Sequence, residues 1–243
     1  MRDDIKSDPS TPKAMDDRSL AYPHGVLLKR CEEAWMHYRP NDLVIGRALD
    51  CHGHYSPGEI RLFRSIVDRG DTVVEAGAGI GSLTIPLANS VGQSGTAYAF
   101  EPNSDSFDLL CRNLEANEVH NVIADHRALG ATCEIRIIEV KDVSRPNNFG
   151  DTSLRLNGSG QTVALMTIDS LHLNRCDFVK ADVQGMERDI LLGAAETLSR
   201  FRPILYLEND QRELSRPLLA TLEALGYDSY GTYREFANSF QPT

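Results

Sequence analysis

The chain has 243 residues, 41% hydrophobic and 25% charged, which fits one globular domain with a decorated end and excludes collagen, coiled-coil and wholly disordered classes. Its 25 Lys and Arg stand against 35 Asp and Glu, a formal net charge of −10, with no basic block to offset it. Such a surface repels phosphate backbones and anionic lipid, so nucleic acid and membranes are disfavoured as partners.

Five cysteines, Cys31, Cys51, Cys111, Cys133 and Cys176, show no CxxC or zinc-ligand spacing and read as reduced thiols of a cytoplasmic protein. Residues 1–20 mix charges of both signs and lack the apolar stretch of a secretion signal, so they read as a disordered lead-in. No apolar run approaches the roughly 20 residues needed to cross a bilayer.

Residues 21–70 read as a small N-terminal cap. Val26, Leu27, Leu28, Cys31, Ala34 and Trp35 fall at helical or near-helical spacing over 25–39, though so short a run admits other readings. Pro, Gly and short β-branched stretches over 40–56 suggest a hairpin or irregular segment. Ile60, Phe63, Ile66 and Val67 line one face of a helix that Pro57 opens.

Residues 71–243 alternate short β-branched runs with longer amphipathic segments, the pattern of parallel strands joined by crossover helices. Strands are predicted at 72–76, 96–101, 121–124, 176–181 and 203–207, and helices at 82–91, 104–117, 186–200 and 213–225. The stretch 131–167 is less regular, with loop composition over 145–161, and the tail 227–240 is placed as a last antiparallel strand or two. Cys111 and Cys176 fall on predicted buried faces.

The most informative stretch runs from Val73 through Glu75, Gly77, Ala78, Gly79 and Gly81 to Ser82, a buried strand entering a glycine turn and then a helix. Glycines admit a ligand where a Cβ would collide, and a helix start offers N–H donors, so a ligand with anionic or polar groups belongs there. Ser82 stands where the dinucleotide fingerprint needs a third glycine. Glu101 and Pro102 end the next strand about 20 residues on, where an acid accepts hydrogen bonds from ribose hydroxyls. An adenosine-bearing cofactor satisfies both features.

These residues resemble the class I S-adenosylmethionine-dependent methyltransferases and, more narrowly, the FkbM family. The likeness rests on EAGAGIGSLTIPLA, AFEPNSDSFDLLCRNLEAN, VKADVQGMERDILLGA and RPILYLEND, with the upstream PNDLVIGRALDCHGHYSPGE. It implies an α/β, Rossmann-like, doubly wound and mostly parallel seven-stranded sheet, S-adenosylmethionine as cofactor, and O-methylation of a hydroxyl on a small molecule, a sugar or polyketide-type natural product. Glu75 and the 77–81 turn would hold the methionine moiety, its carboxylate near backbone N–H donors. Glu101 would bind the ribose, and Asp125, His126 and Ala128 would border the adenine or form a solvated loop. Tyr55, Ser56 and Glu59 match the family's upstream motif, which implies contact with the methionine end.

Acceptor chemistry belongs at the carboxyl ends of the last two strands, because open α/β sheets bind ligands there. Asp182 is the leading candidate to orient or deprotonate an acceptor hydroxyl, facing Glu208, and is also counted among the cofactor-binding residues; its alternatives are capping the next helix or pairing with Lys180. Asp182 with Glu208 could instead ligate a divalent cation, but nothing in the spacing demands it and no metal site is assigned. His52 and His54 suit an acceptor lid, a base near neutral pH, or an ordinary loop. Residues 148–153 fit the family's pattern for a loop beside the cleft. Gln184 stands where the family commonly has an acid, which leaves it a hydrogen-bonding role. Two other readings stay open: a nicotinamide-dependent oxidoreductase, and a catalytically silent cofactor-binding partner subunit.

Overall fold

The computed structural model describes residues 20–22, 25–151, 154–155 and 160–233. The lead-in lies outside them apart from Leu20, which begins the first strand. β1 (Leu20–Tyr22), β2 (Val26–Arg30) and β3 (Trp35–Tyr38) form an antiparallel three-stranded sheet in that order. This corrects the helix predicted over 25–39. The apolar residues there are too few to fix a period, and the turn closed by Cys31 N–H on the Ala34 carbonyl at 2.9 Å folds the run back on itself.

The segment predicted as a hairpin is instead largely α1 (Ile45–His52). Its start is held by Asp42, whose carboxylate accepts the Val44 N–H at 3.1 Å and the Gly46 N–H at 3.2 Å. Gly53 ends it in the left-handed conformation at φ 73°. α2 (Pro57–Ile66) follows, as predicted.

β4 (Thr72–Ala76), α3 (Thr84–Val91), β5 (Thr96–Phe100), α4 (Ser104–Ala116) and β6 (Val122–Asp125) then build half of a parallel sheet. β7 (Ala128–Leu129), β8 (Glu134–Ile138), β9 (Leu154–Arg155) and β10 (Gln161–Met166) lead into β11 (Phe178–Ala181), α5 (Glu187–Leu192), α6 (Ala195–Phe201), β12 (Ile204–Leu207) and α7 (Arg212–Ala224). The main sheet has the order β12-β11-β4-β5-β6. The chain therefore winds outward from β4 to β6 and returns to lie beside β4 at β11, a topological switch point between these two strands.

Alternation in β4 and β11 splits the core. Val74, Ala76, Val179 and Ala181 pack with Ile190, Leu198 and Leu218 of α5, α6 and α7. Val73 and Phe178 pack on the opposite face with Ile60 and Phe63 of α2 and Leu87 of α3.

The seven-stranded expectation resolves differently among the described residues. Five strands form the main sheet, and β7-β10-β8-β9 form a separate four-stranded one around Ala128, Ile138, Val163 and Leu165. Three of its strands, β8, β9 and β10, arise within the stretch read as irregular. Residues 227–233 carry no strand, and the rest of the predicted tail strand lies outside the described residues. The helix predicted over 186–200 breaks into α5 and α6 at Gly193, where a Cβ would stand 2.0 Å from the Gly130 carbonyl oxygen. Asp169 caps the second piece through the Glu196 and Thr197 N–H groups at 3.0 and 2.8 Å.

All five cysteines are free thiols, and Cys111 is exposed rather than buried because Leu109, Leu110, Asn113 and Leu114 form the inner face of α4. No described helix is long and apolar enough to cross a membrane.

Phe63 fixes α2 against the sheet, with its ring edge-on to Phe178 at 5.5 Å and to Tyr206 at 5.0 Å between centroids. Phe63→Ala is expected to cost about 3–5 kcal/mol of stability in urea unfolding. A loss below about 1 kcal/mol would contradict this packing.

Candidate cofactor and acceptor site

Strand register assembles the site. Tyr206, Lys180, Glu75 and Ala99 are successive cross-strand partners in β12, β11, β4 and β5. The next layer, Leu207, Ala181, Ala76 and Phe100, closes the sheet. Glu208, Asp182, Gly77 and Glu101 therefore leave the four strands side by side at the switch point.

Beneath them lies an ion pair. Lys180 and Glu75 are each 1% exposed, with Lys180 Nζ 3.4 Å from Glu75 Oε1 and 3.5 Å from the Gly77 carbonyl. Burial pulls the ammonium's pKa down, but Glu75, Asp182 and Glu59 outweigh it and leave that pKa above its ordinary value. Thr84 Oγ1 donates to Glu75 Oε2 at 2.7 Å. Oε1 faces the lysine but accepts no aligned hydrogen bond among the described residues.

The glycine turn presses directly on the acceptor strand. At Gly77, with φ 79°, a Cβ would stand 2.1 Å from the Asp182 carbonyl oxygen, so only glycine fits. At Gly79 a Cβ would meet only Ile45 Cδ1, at 3.9 Å, and the turn is open there. Four of its N–H groups are already engaged within the protein, which narrows the anion cradle the sequence suggested. Gly77 and Ala78 both donate to the Phe100 carbonyl at 3.0 Å, Gly81 to the Ala78 carbonyl at 2.9 Å, and Gly79 to Glu101 Oε2 at 2.8 Å.

Glu101 bridges the turn and the next helix, since its Oε1 accepts the Asn103 N–H at 2.8 Å. Burial dominates over these bonds and pushes its pKa up to about 7. Each oxygen keeps a second lone pair for a ligand hydroxyl. The Pro102 carbonyl accepts from Gln161 Nε2 at 2.8 Å, and Gln161 Oε1 accepts the Ser104 N–H at 3.0 Å. His126 stacks on Phe107 with centroids 4.8 Å apart and lies 3.3 Å from Gln161 Nε2. Gln161 was missed because it opens a strand hidden at the end of a loop-like stretch.

Asp125 is engaged by Arg127 at 2.8 and 2.5 Å. The Ala128 side chain sits in the core of the four-stranded sheet instead of facing the cleft. Ser82 lines a narrow cleft under the N-terminal sheet with Cys31, Met36 and Tyr55.

On the acceptor side, Asp182 and Glu208 come together as expected and share a hydrogen bond; burial first, then Asp182, pushes the Glu208 pKa up to about 8. Gln184, in the left-handed region at φ 57°, donates to Glu208 Oε2 at 3.4 Å. Asp182 does not cap α5. Glu187 meets the loop instead, accepting the Val183 and Gly185 N–H groups at 3.0 and 3.2 Å. Lys180 makes its close contact with Glu75 and not with Asp182.

Tyr206 Oη donates to Glu59 Oε1 at 2.6 Å, and Ser56 Oγ donates to Glu59 Oε2. Tyr55 is half-buried, and desolvation first, then the charges of Asp182, Glu59, Asp42 and Glu208, raise its phenol pKa. His54 stacks on His52 at 6.0 Å, so the side chain that joins the acidic pair from this segment is Tyr55. A cavity of about 280 Å3 opens beside Glu208, lined by Gly185, Asp210, Gln211 and Leu214. The loop before β10 is tied to the cap, the Leu43 N–H donating to the Asn147 carbonyl at 2.8 Å. Its residues 152–153 lie outside the described set. No group of three or more His, Cys, Asp or Glu among the described residues is placed to hold a metal ion.

A parallel sheet with this switch point, strand order and glycine turn is the class I methyltransferase fold. The methyltransferase FkbM domain matches residues 75–229. The chain belongs to the FkbM family of S-adenosylmethionine-dependent methyltransferases.

It is 36% identical over 58 residues to the tRNA (adenine(58)-N(1))-methyltransferase catalytic subunit TRM61 of Yarrowia lipolytica, 24% of this chain and 15% of that protein. It is 35% identical over 79 residues to the tRNA(Phe) (4-demethylwyosine(37)-C(7)) aminocarboxypropyltransferase of Methanocaldococcus jannaschii, 32% of this chain and 29% of that protein. Both matches thus span less than a third of the curated relatives' lengths. Methyltransferase FkbM from Methylobacillus flagellatus superposes with a TM-score of 0.44 at 16% identity, over 68% of this chain and 44% of that one.

The residues present fit the family's cofactor. The N–H groups of Gly77, Ala78, Gly79 and Gly81 are already bonded, while Glu75 Oε1 and both oxygens of Glu101 remain as acceptors, which suits hydroxyl, ammonium and sulfonium groups.

The raised Glu208 carboxyl has a consequence for stability. The folded chain keeps a proton that the unfolded chain, with Glu near about 4.3, has released, so stability falls as pH rises from about 4.3 towards 8. Glu101 contributes a similar loss that ends near 7. Glu208→Gln is therefore expected to flatten the fall in Tm between pH 7 and 8; parallel Tm profiles for wild type and variant would contradict the shared proton.

Proposed function

We propose that this chain is an S-adenosylmethionine-dependent O-methyltransferase acting on a hydroxyl of a small molecule, a sugar or polyketide-type natural product. The observation that carries the reading is the hydrogen-bonded Asp182–Glu208 pair beside Gly77, where the cofactor turn and the acceptor strands touch. The cofactor supplies an electrophilic methyl group, so the chain's task is alignment, proton removal and exclusion of water.

Glu101 takes the ribose hydroxyls, with Pro102, His126 and the backbone at Asp125 and Ala128 bordering the adenine. Glu75, Gly77, Ala78, Gly79, Gly81 and Ser82 shape the methionine end, under Tyr55, Ser56 and Glu59. Asp182 receives the acceptor's hydroxyl proton, and Glu208, which holds its own proton up to about pH 8, orients Asp182 by donating to it. His54, with His52, belongs to the acceptor lid.

Two rival readings fare worse. A nicotinamide dinucleotide would bring pyrophosphate to a turn whose Gly79 N–H is already given to the Glu101 carboxylate. An RNA acceptor, suggested by the tRNA-modifying relatives, would meet a net charge of −10 and carboxyls at the transfer end.

Glu101→Ala is expected to weaken S-adenosylmethionine binding by about 1–3 kcal/mol in calorimetry; unchanged affinity would remove the ribose assignment. Asp182→Asn is expected to lower kcat about 100-fold or more at unchanged cofactor affinity, read with a radiolabelled methyl donor and a panel of hydroxylated metabolites. Methyl transfer into bulk RNA instead of that panel would overturn the small-molecule reading, and a variant as active as wild type would remove Asp182 as the base.

A further inference from the structure

The N-terminal sheet ends in β3, an edge strand whose residues two apart present their N–H and C=O groups to the same side. Such an edge needs partners. α4 and the residue that ends it supply them through two asparagines one turn apart, Asn113 and Asn117. Asn117 Oδ1 accepts the Trp35 N–H at 2.8 Å, and its Nδ2 donates to the Trp35 carbonyl at 2.7 Å. Asn113 Oδ1 accepts the His37 N–H at 2.5 Å, and its Nδ2 donates to the His37 carbonyl at 3.0 Å. The match is geometric: four residues of helix rise about 6 Å, and two residues of strand span about 6.6 Å. The helix thus pairs with the strand through a two-rung ladder of side-chain amides.

The rungs differ in where their remaining proton goes. Asn117 Nδ2 returns to its own helix, to the Asn113 carbonyl at 2.7 Å. Asn113 Nδ2 donates to the Ile80 carbonyl at 2.8 Å, in the middle of the glycine turn between Gly79 and Gly81. Asn113 is fully buried at 0% exposure, and the His37 ring also meets it, Nδ1 lying 3.1 Å from Asn113 Oδ1. One amide therefore joins the edge of the N-terminal sheet to the peptide on which the open face of the turn is hung.

We infer that Asn113 is a positioning residue for the glycine turn, and that docking of the β1–β2–β3 sheet on α4 sets the shape of the cofactor cradle through it. The inference rests on the reading that this turn holds the cofactor. Asn113 holds the turn at its carbonyl at 80, and Glu101 holds it at the N–H of 79.

Asn113→Ser and Asn117→Ser each remove one rung, but only the first releases the turn. S-adenosylmethionine affinity, measured by calorimetry on the full chain, is expected to fall about fivefold to tenfold in Asn113→Ser, the scale of a lost hydrogen bond. It is expected to stay within about twofold in Asn117→Ser, with thermal unfolding showing comparable destabilisation of both. Equal weakening in the two variants, or none in either, overturns the inference.

Gly79→Val, measured alongside, tests the underlying reading: its failure to weaken binding would remove both, whereas weakening there without weakening in Asn113→Ser sinks this inference alone. If Asn113→Ser does not fold, hydrogen exchange of the wild type decides. Saturating cofactor should protect the amides of residues 35–38 more than those of α7, and equal protection overturns the coupling.

Discussion

A charged pair, Glu75 with Lys180, stands buried in the middle of the sheet between Tyr206 and Ala99, and the site is built on top of it. Taking two charges out of water costs several kcal/mol per ion, and their attraction offsets this only when both are present and well placed. Cross-strand register provides that placement, because Glu75 and Lys180 face each other on the same side of β4 and β11. The lysine also reaches the Gly77 carbonyl, so the pair grips the first residue of the turn. An ammonium here neutralises part of a field that Asp182, Glu59 and Glu75 would otherwise make prohibitively negative. The carboxylates above it can therefore stay close together without driving the strands apart.

The same register explains why motifs far apart in sequence act together. Four parallel strands end at one level, and each contributes the residue that follows its last pair. From β12 comes Glu208, from β11 Asp182, from β4 Gly77 and from β5 Glu101. Strand direction and winding order thus decide the site's composition, while the helices and the N-terminal sheet adjust its walls. The separate four-stranded sheet contributes through Gln161, which ties its first residue to Pro102 and Ser104 beside Glu101.

Much of this was legible in the amino-acid order because strand, glycine turn and helix each leave a strong local mark. Glu75 lies within β4, and the 77–81 turn, Glu101, Asp182 and Glu208 follow strand ends as read. The cap was not legible in the same way: Val26 to Trp35 satisfies both a helical and a hairpin pattern over so few residues. Asp42 and Gly53 are start and stop signals of α1 set within a Pro- and Gly-bearing stretch of loop-like composition. The strands at 134–138 and 161–166 are separated by a long polar stretch that hides their pairing. Tyr206 and Asn113 carry no local signature at all. The hydroxyl of Tyr206 finds Glu59 across 147 positions, and Asn113 finds His37 across 76.

Gly77 abuts the carbonyl of Asp182 so closely that one additional methyl group would have to displace a peptide. Donor half and acceptor half of the cleft are consequently fastened by an atom that is missing. The turn after β4 and the backbone after β11 are therefore in direct contact, with no side chain between them. A side chain at 77 would act as a wedge between the two halves, sparing each one's own chemistry while separating the partners that must meet.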